Sequence, residues 1–156
     1  MRSAVTNFLS GLAQRLRKPR PEGSPKPARP PETIGTGPNA IRVEYTPRLD
    51  GDPDPGEVVW TWVAYEDDPS QGKDRPVVII GHRGKLLAGV ALTSKRHDRE
   101  LHVEVGTGSW DRHGQVSYAK VDRVLDIAPD AVRREGAILD RARFTAVIAA
   151  VRDQVT

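Results

Sequence analysis

The stretch from Gln71 to Thr93 reads QGKDRPVVIIGHRGKLLAGVALT, and its reading decides the fold. VVII at 77–80 and LLAGVAL at 86–92 are short apolar runs bounded by turn formers, which suits strands. GHRGK between them is compatible with an antiparallel return. The second run is nearly continuous, as expected of a strand covered on both faces. Pro76 lacks the N–H that a central ladder position uses, so it belongs at a strand start or on an edge. Arg75 is therefore held at one strand mouth while Thr93 closes the next strand, and this pair is the candidate active site.

On the N-terminal side, Glu57 to Tyr65 (EVVWTWVAY) is rich in β-branched and aromatic residues and reads as a strand. Its alternation puts Trp60, Trp62 and Ala64 on one face and Val59, Thr61, Val63 and Tyr65 on the other. The tryptophans read as core, with stacking on a base in a groove as the alternative. IRVEY from Ile41 gives a short alternating run that adds an edge strand. LDGDPDPG after it is a turn, because its prolines do not fit the ligand spacing of an EF-hand. On the C-terminal side, Leu101–Val105 alternates, GTGSWDRHG is a glycine-rich loop, and Val116–Ile127 is one bent strand or two. Leu139, Phe144, Val147, Ile148 and Val151 recur at helical spacing, with Asp140 as N-cap. The expected fold is mainly β, a small barrel with one C-terminal helix packed on it.

Three segments follow from composition. Residues 1–18 form an amphipathic basic helix, 19–40 a flexible linker and 41–156 the barrel domain. In the first, Val5, Phe8, Leu9, Leu12 and Leu16 make an apolar stripe beside Arg2, Arg15 and Arg17. It reads as a short, weakly docked helix, or as a handle for a membrane surface, a partner groove or nucleic acid. Seven prolines between Pro19 and Pro38 keep the second from burying a core. The net charge of +3 hides an asymmetry. Residues 1–30 hold seven of the 24 Lys/Arg and one of the 21 Asp/Glu, so they carry +6 and the rest −3. A nucleic-acid footprint on the body must then be a local patch.

Other function classes fall away. Without cysteine there is no disulfide framework and no thiolate zinc site. No apolar run approaches the roughly 18 residues of a membrane span, and a cytoplasmic protein is expected. His82, His97, His102 and His113 lie on different elements without metal-ligand spacing, and there is no phosphate loop or nucleophile elbow. An enzyme built from this chain would work without metal, cofactor or cysteine. RNA cleavage meets that demand, because the 2′-hydroxyl beside the scissile phosphate is an internal nucleophile.

At these residues the chain resembles the PemK/MazF toxins of bacterial toxin–antitoxin systems. The matching features run in one order over residues 55–153: PGEVVW, QGKDRPVVII, VALTS, HVEV, GQVSYAKVDRVLDI and Gly136 leading into the helix. The resemblance implies an SH3-like barrel, a homodimer, and a ribosome-independent mRNA endonuclease that cuts single-stranded RNA. It also implies a cognate antitoxin as partner, and DNA binding with that antitoxin for autoregulation. No cofactor is implied. Arg75 matches the arginine of the Q-G-x-x-R-P pattern and Thr93 the threonine ending the third strand, the two residues taken to act on the scissile phosphate. A guanidinium forks onto two phosphate oxygens and a hydroxyl donates to a third. Gln71, Lys73, Ser94, Lys95, Arg96 and His97 are the expected RNA contacts.

Where many members carry a glutamate before that glutamine, this chain has Ser70. Glu66, Asp67, Asp68 and His97 are therefore the alternatives for the base. A family member retained as a nucleic-acid or protein binding module is the second reading of function.

Overall fold

The computed structural model describes residues 32–96 and 101–155. The expected helix over 1–18 lies outside them, as do residues 19–31 of the expected linker and His97. The described chain forms β1 (Glu32–Ile34), β2 (Ile41–Val43), β3 (Glu57–Ala64), β4 (Gly72–Arg83), β5 (Leu86–Thr93), β6 (His102–Gly106), β7 (Ser117–Lys120), β8 (Leu125–Ile127), β9 (Arg134–Ile138) and α1 (Arg141–Val155). Every ladder is antiparallel. The sheet curls into a half-barrel closed by the single C-terminal helix, the architecture expected of the sequence.

β4 is the organising strand. It runs 12 residues, pairing along its first half with β3 (Ala64↔Gly72 to Val58↔Val78) and along its second with β5 (Val77↔Ala91 to Arg83↔Leu86). Pro76 is not at the strand start, because β4 begins at Gly72. It sits opposite Trp60 on β3, just before the β5 ladder opens at Val77, so the missing N–H falls where only one neighbour is present. β2 is likewise not an edge, since β1 pairs with it on one side and β4 on the other. β1 lies inside the segment expected to be linker, and its Ile34 is only 2% exposed.

Two apolar layers hold the sheet. Val58, Val78, Ile80, Val90, Leu92 and Val105 pack on one face against Phe144, Val147, Ile148 and Val151 of α1. Val59, Val63, Val77, Ile79, Leu87, Ala91 and Ile127 make a smaller layer on the other face. β4 and β5 are therefore buried on both sides, which explains their continuous apolar runs. Each fully buried Val or Ile contributes about 1.5–3 kcal/mol of transfer free energy. The entry to α1 is pinned three ways. Asp140 accepts a 3.3 Å bond from the Arg143 backbone N–H as N-cap, the Tyr45 hydroxyl donates to the Leu139 carbonyl at 2.7 Å, and the Tyr45 ring meets Phe144 at 4.9 Å.

The turn-rich segment before β3 is stapled by a buried carboxylate. Glu57 is fully buried and accepts backbone bonds from Arg48 at 2.5 Å and Asp54 at 3.2 Å. Those charge-assisted bonds offset the cost of burying it.

Candidate active site

The β4–β5 ladder ends at the pair Val77↔Ala91. Beyond it β5 is paired only with β7, through Leu92↔Ala119 and Thr93↔Tyr118. Arg75 stays on β4, paired with Thr61 of β3. The sheet thus splits between Arg75 and Thr93, and the split opens a cleft of about 240 Å³. Lys73, Asp74, Arg75 and Pro76 form its β4 wall and Leu92, Thr93, Ser94 and Lys95 its β5 wall. Trp60 lies at its base, and Asp111, Gln115 and Ser117 close the far side.

Local bonding sets each wall. Thr93 Oγ1 accepts from the Lys95 N–H at 3.1 Å and donates to the Lys95 carbonyl at 3.3 Å, turning the chain so that Lys95 faces the cleft. The far wall hangs on three residues in series. Ser117 Oγ accepts from the Trp110 indole at 3.0 Å, and the Trp110 carbonyl accepts from the Trp60 indole at 3.2 Å. This chain fastens the glycine-rich loop to β3 and β7. The adjoining Asp111 carboxylate is oriented by the His113 N–H at 2.8 Å.

The electrostatics point to an anionic ligand. The Arg75 guanidinium, partial burial and Lys95 together hold the Lys73 ammonium below its ordinary value. Three cations thus converge on one cleft at a mutual cost that a phosphate would relieve. Asp74 is turned to Arg133 at 3.2 Å.

Arg75 also borders a second cavity, of about 280 Å³, with Tyr65, Glu66, Asp67, Lys120 and Arg123 around it. Glu66 faces Lys120 at 3.6 Å, and Arg123 donates to the Ala64 carbonyl at 2.9 Å.

Of the expected residues, the cleft gathers Arg75, Thr93, Lys73, Ser94 and Lys95. Gln71 and Arg96 are exposed and do not line it. Glu66 and Asp67 border the second cavity, on the Arg75 side only. Asp68 is occupied locally, accepting from the Ser70 hydroxyl at 2.6 Å and the Ser70 N–H at 3.2 Å. Sequence reasoning missed Asp74, Asp111, Gln115 and Ser117 as cleft residues, and Trp60 takes up the groove position given as the alternative to core. The glycine-rich run around Trp110 was the available signal for the far wall. Among the described residues no group of three or more His, Asp and Glu is placed to hold a metal ion.

Residues 54–155 match the family model described as the PemK-like, MazF-like toxin of type II toxin–antitoxin systems. The chain belongs to this family. The PemK/MazF match begins at the turn before β3 and leaves β1 and β2 outside it. In structure the chain is similar to MazF (Form-I) from Deinococcus radiodurans, with TM-score 0.53 and 17% identity, covering 67% of this chain and 96% of that one. It is also similar to the MazE-MazF (Form-III) structure from the same organism, with TM-score 0.48 and 18% identity, covering 65% and 94%. Comparison with curated protein sequences gives no match. The PemK/MazF sequence pattern thus coincides with the residues that form β3, β4, β5 and the cleft between them.

Proposed function

We propose that the chain is a metal-independent endoribonuclease toxin acting on single-stranded RNA in the cytoplasm. The observation that carries this reading is the placement of Arg75 and Thr93 on opposite walls of one cationic cleft, where the β4–β5 ladder parts. The 2′-oxygen gives its proton to a base and attacks the neighbouring phosphorus, and the bond to the 5′-oxygen breaks as that oxygen takes a proton from water, leaving a 2′,3′-cyclic phosphate and a 5′-hydroxyl. Arg75 clamps the non-bridging oxygens as charge builds on them, and the Thr93 hydroxyl exchanges its long 3.3 Å bond for one to the phosphorane. Lys73 and Lys95 hold the flanking phosphates. The base that takes the 2′-proton comes from the bordering carboxylates: Asp111 within the cleft, or Glu66 and Asp67 across Arg75.

The family is described by its place in type II toxin–antitoxin systems, which supports a cognate antitoxin that fills the cleft. A homodimer, and DNA binding together with the antitoxin, extend the same reading. The second reading, a binding module with little catalysis, is favoured by Ser70. It stands where many members carry a glutamate, and its hydroxyl is spent on Asp68.

Purified protein on a long RNA in EDTA separates the two readings. The expected result is cleavage by wild type and loss of roughly 100-fold or more in Arg75→Ala and Thr93→Ala. Undiminished cleavage in both variants would refute the site. Binding without cleavage by wild type at low salt would favour the module. Asp111→Asn, Glu66→Gln and Asp67→Asn, compared side by side, assign the base.

A further inference from the structure

Trp62 is the one exposed tryptophan, for Trp110 is buried and Trp60 half-buried. Its neighbours on β3, Thr61 and Val63, are 2% and 6% exposed, whereas Trp62 is 47% exposed, contrary to its reading as core. It follows Trp60 by two residues, so the two indoles lie on the same face of β3, about 7 Å apart along the strand. Trp60 lines the Arg75–Thr93 cleft, as does Asp74, the cross-strand partner of Trp62. Trp62 therefore stands just outside the cleft, on the same face of β3 as Trp60.

The ring has a prepared bed. Its next neighbour on β4 is Gly72, opposite Ala64. A Cβ at Gly72 would come within 2.6 Å of Trp62 Cζ2 and 2.8 Å of Cε2. The indole therefore lies against bare backbone, over a position that only glycine leaves open. Asp74 is drawn aside by Arg133. The result is a supported aromatic surface with nearly half its area open to solvent, next along β3 from Trp60, which lines the cleft that gathers Lys73, Arg75 and Lys95. An aromatic platform bordering a positive groove is the arrangement that binds unpaired bases in series with their phosphates.

We infer that Trp62 stacks on an unpaired base of single-stranded RNA flanking the phosphate held at Arg75. This rests on the reading of the cleft as an RNA site and adds to it a sequence-tolerant contact outside the reacting centre. Charge decides in favour of nucleic acid over a second copy of the chain, because the cleft lined by the preceding Trp60 gathers three cations that suit phosphates and would repel their own copies.

The test uses the full chain and two fluorescently labelled 2′-O-methyl oligomers of equal length, one of mixed sequence and one abasic, with anisotropy read at low salt. Neither is cleavable, so binding is measured apart from catalysis. Wild type should bind the base-bearing oligomer more tightly. Trp62→Ala should lose about tenfold or more of that affinity while leaving the abasic oligomer unchanged, and Trp62→Phe should keep most of it. Equal binding of the base-bearing oligomer by wild type and Trp62→Ala overturns the stacking role and leaves the cleft reading standing. Failure of wild type to bind either oligomer overturns both. A change in sedimentation of Trp62→Ala from dimer to monomer at unchanged oligomer affinity also overturns the stacking role, since the surface then joins two copies.

Discussion

Arg75 and Thr93 each stand two residues outside the pair Val77↔Ala91, so an unbroken β4–β5 ladder would make them cross-strand partners. They are not partners. Thr93 is opposite Tyr118 on β7 and Arg75 opposite Thr61 on β3. Shared register places both side chains on one face, and the split in the sheet puts space between them. That space has the chemistry of a phosphate site, with a guanidinium on one wall and a hydroxyl on the other.

Geometry at Arg75 should matter beyond its charge. Arg75→Lys keeps a cation but loses the planar fork, and we expect a fall in cleavage rate of about 10²-fold with unchanged circular dichroism. Thr93→Ser keeps the hydroxyl and should retain most activity, whereas Thr93→Val keeps the shape and should lose it. Single-turnover rates on one RNA in EDTA measure both.

Lys73 should report the anion. Its folded pKa lies below its ordinary value, so the unfolded chain binds more protons in the window just under 10.5, and stability rises with pH through that window. Bound phosphate counters the repulsion from Arg75 and Lys95, so RNA affinity should fall as pH rises through the same window. Lys73→Gln should leave stability at neutral pH unchanged or slightly raised. It should also reduce the slope of log affinity against log salt by about 0.7 for single-stranded RNA.

Truncation should locate the start of the barrel. Removing residues 1–31 is expected to leave the melting temperature and any nuclease activity intact. Removing 1–40 also deletes β1, the buried Ile34 and the 3.2 Å ion pair between Glu32 and Arg152 of α1. Loss of Ile34 burial alone costs about 1.5–3 kcal/mol, which urea unfolding of the two truncations resolves.

The cap on α1 should be acid-labile. Desolvation pushes the Asp140 carboxyl up, but bonds from the Arg143 side chain and backbone outweigh it and hold the group below its ordinary value. Its contribution is therefore complete above the unfolded carboxylate range and fades as pH falls through the folded pKa. Asp140→Ala should lower Tm at pH 7 and lose that effect near pH 2, while Asp140→Asn, which can still cap, should fall between.

The sequence by itself determined the elements whose signal is local. EVVWTWVAY, VVII and LLAGVAL became β3, β4 and β5, and the apolar spacing from Phe144 to Val151 with Asp140 before it became α1 and its cap. Alternation, helical period and capping chemistry act over a few residues and survive in the linear chain. It also placed Thr93 at a strand end, whereas Arg75, expected at a strand mouth, lies inside β4 because the pairing with β3 runs back to Gly72. What only the tertiary structure decided depends on pairing between distant segments. β1 and β9 are short, and β9 carries charged residues in REGAI; each is a strand because β2 or β3 supplies the bonds. Thr61 is buried where the Ala131 carbonyl accepts its hydroxyl at 3.1 Å, while Trp62 on the opposite face is exposed. The far wall of the cleft, with Asp111, Gln115 and Ser117, arrives from a glycine-rich loop fastened by Trp110 to Trp60, 50 residues earlier. No local pattern encodes such a meeting, because it exists only once the sheet has curled and parted.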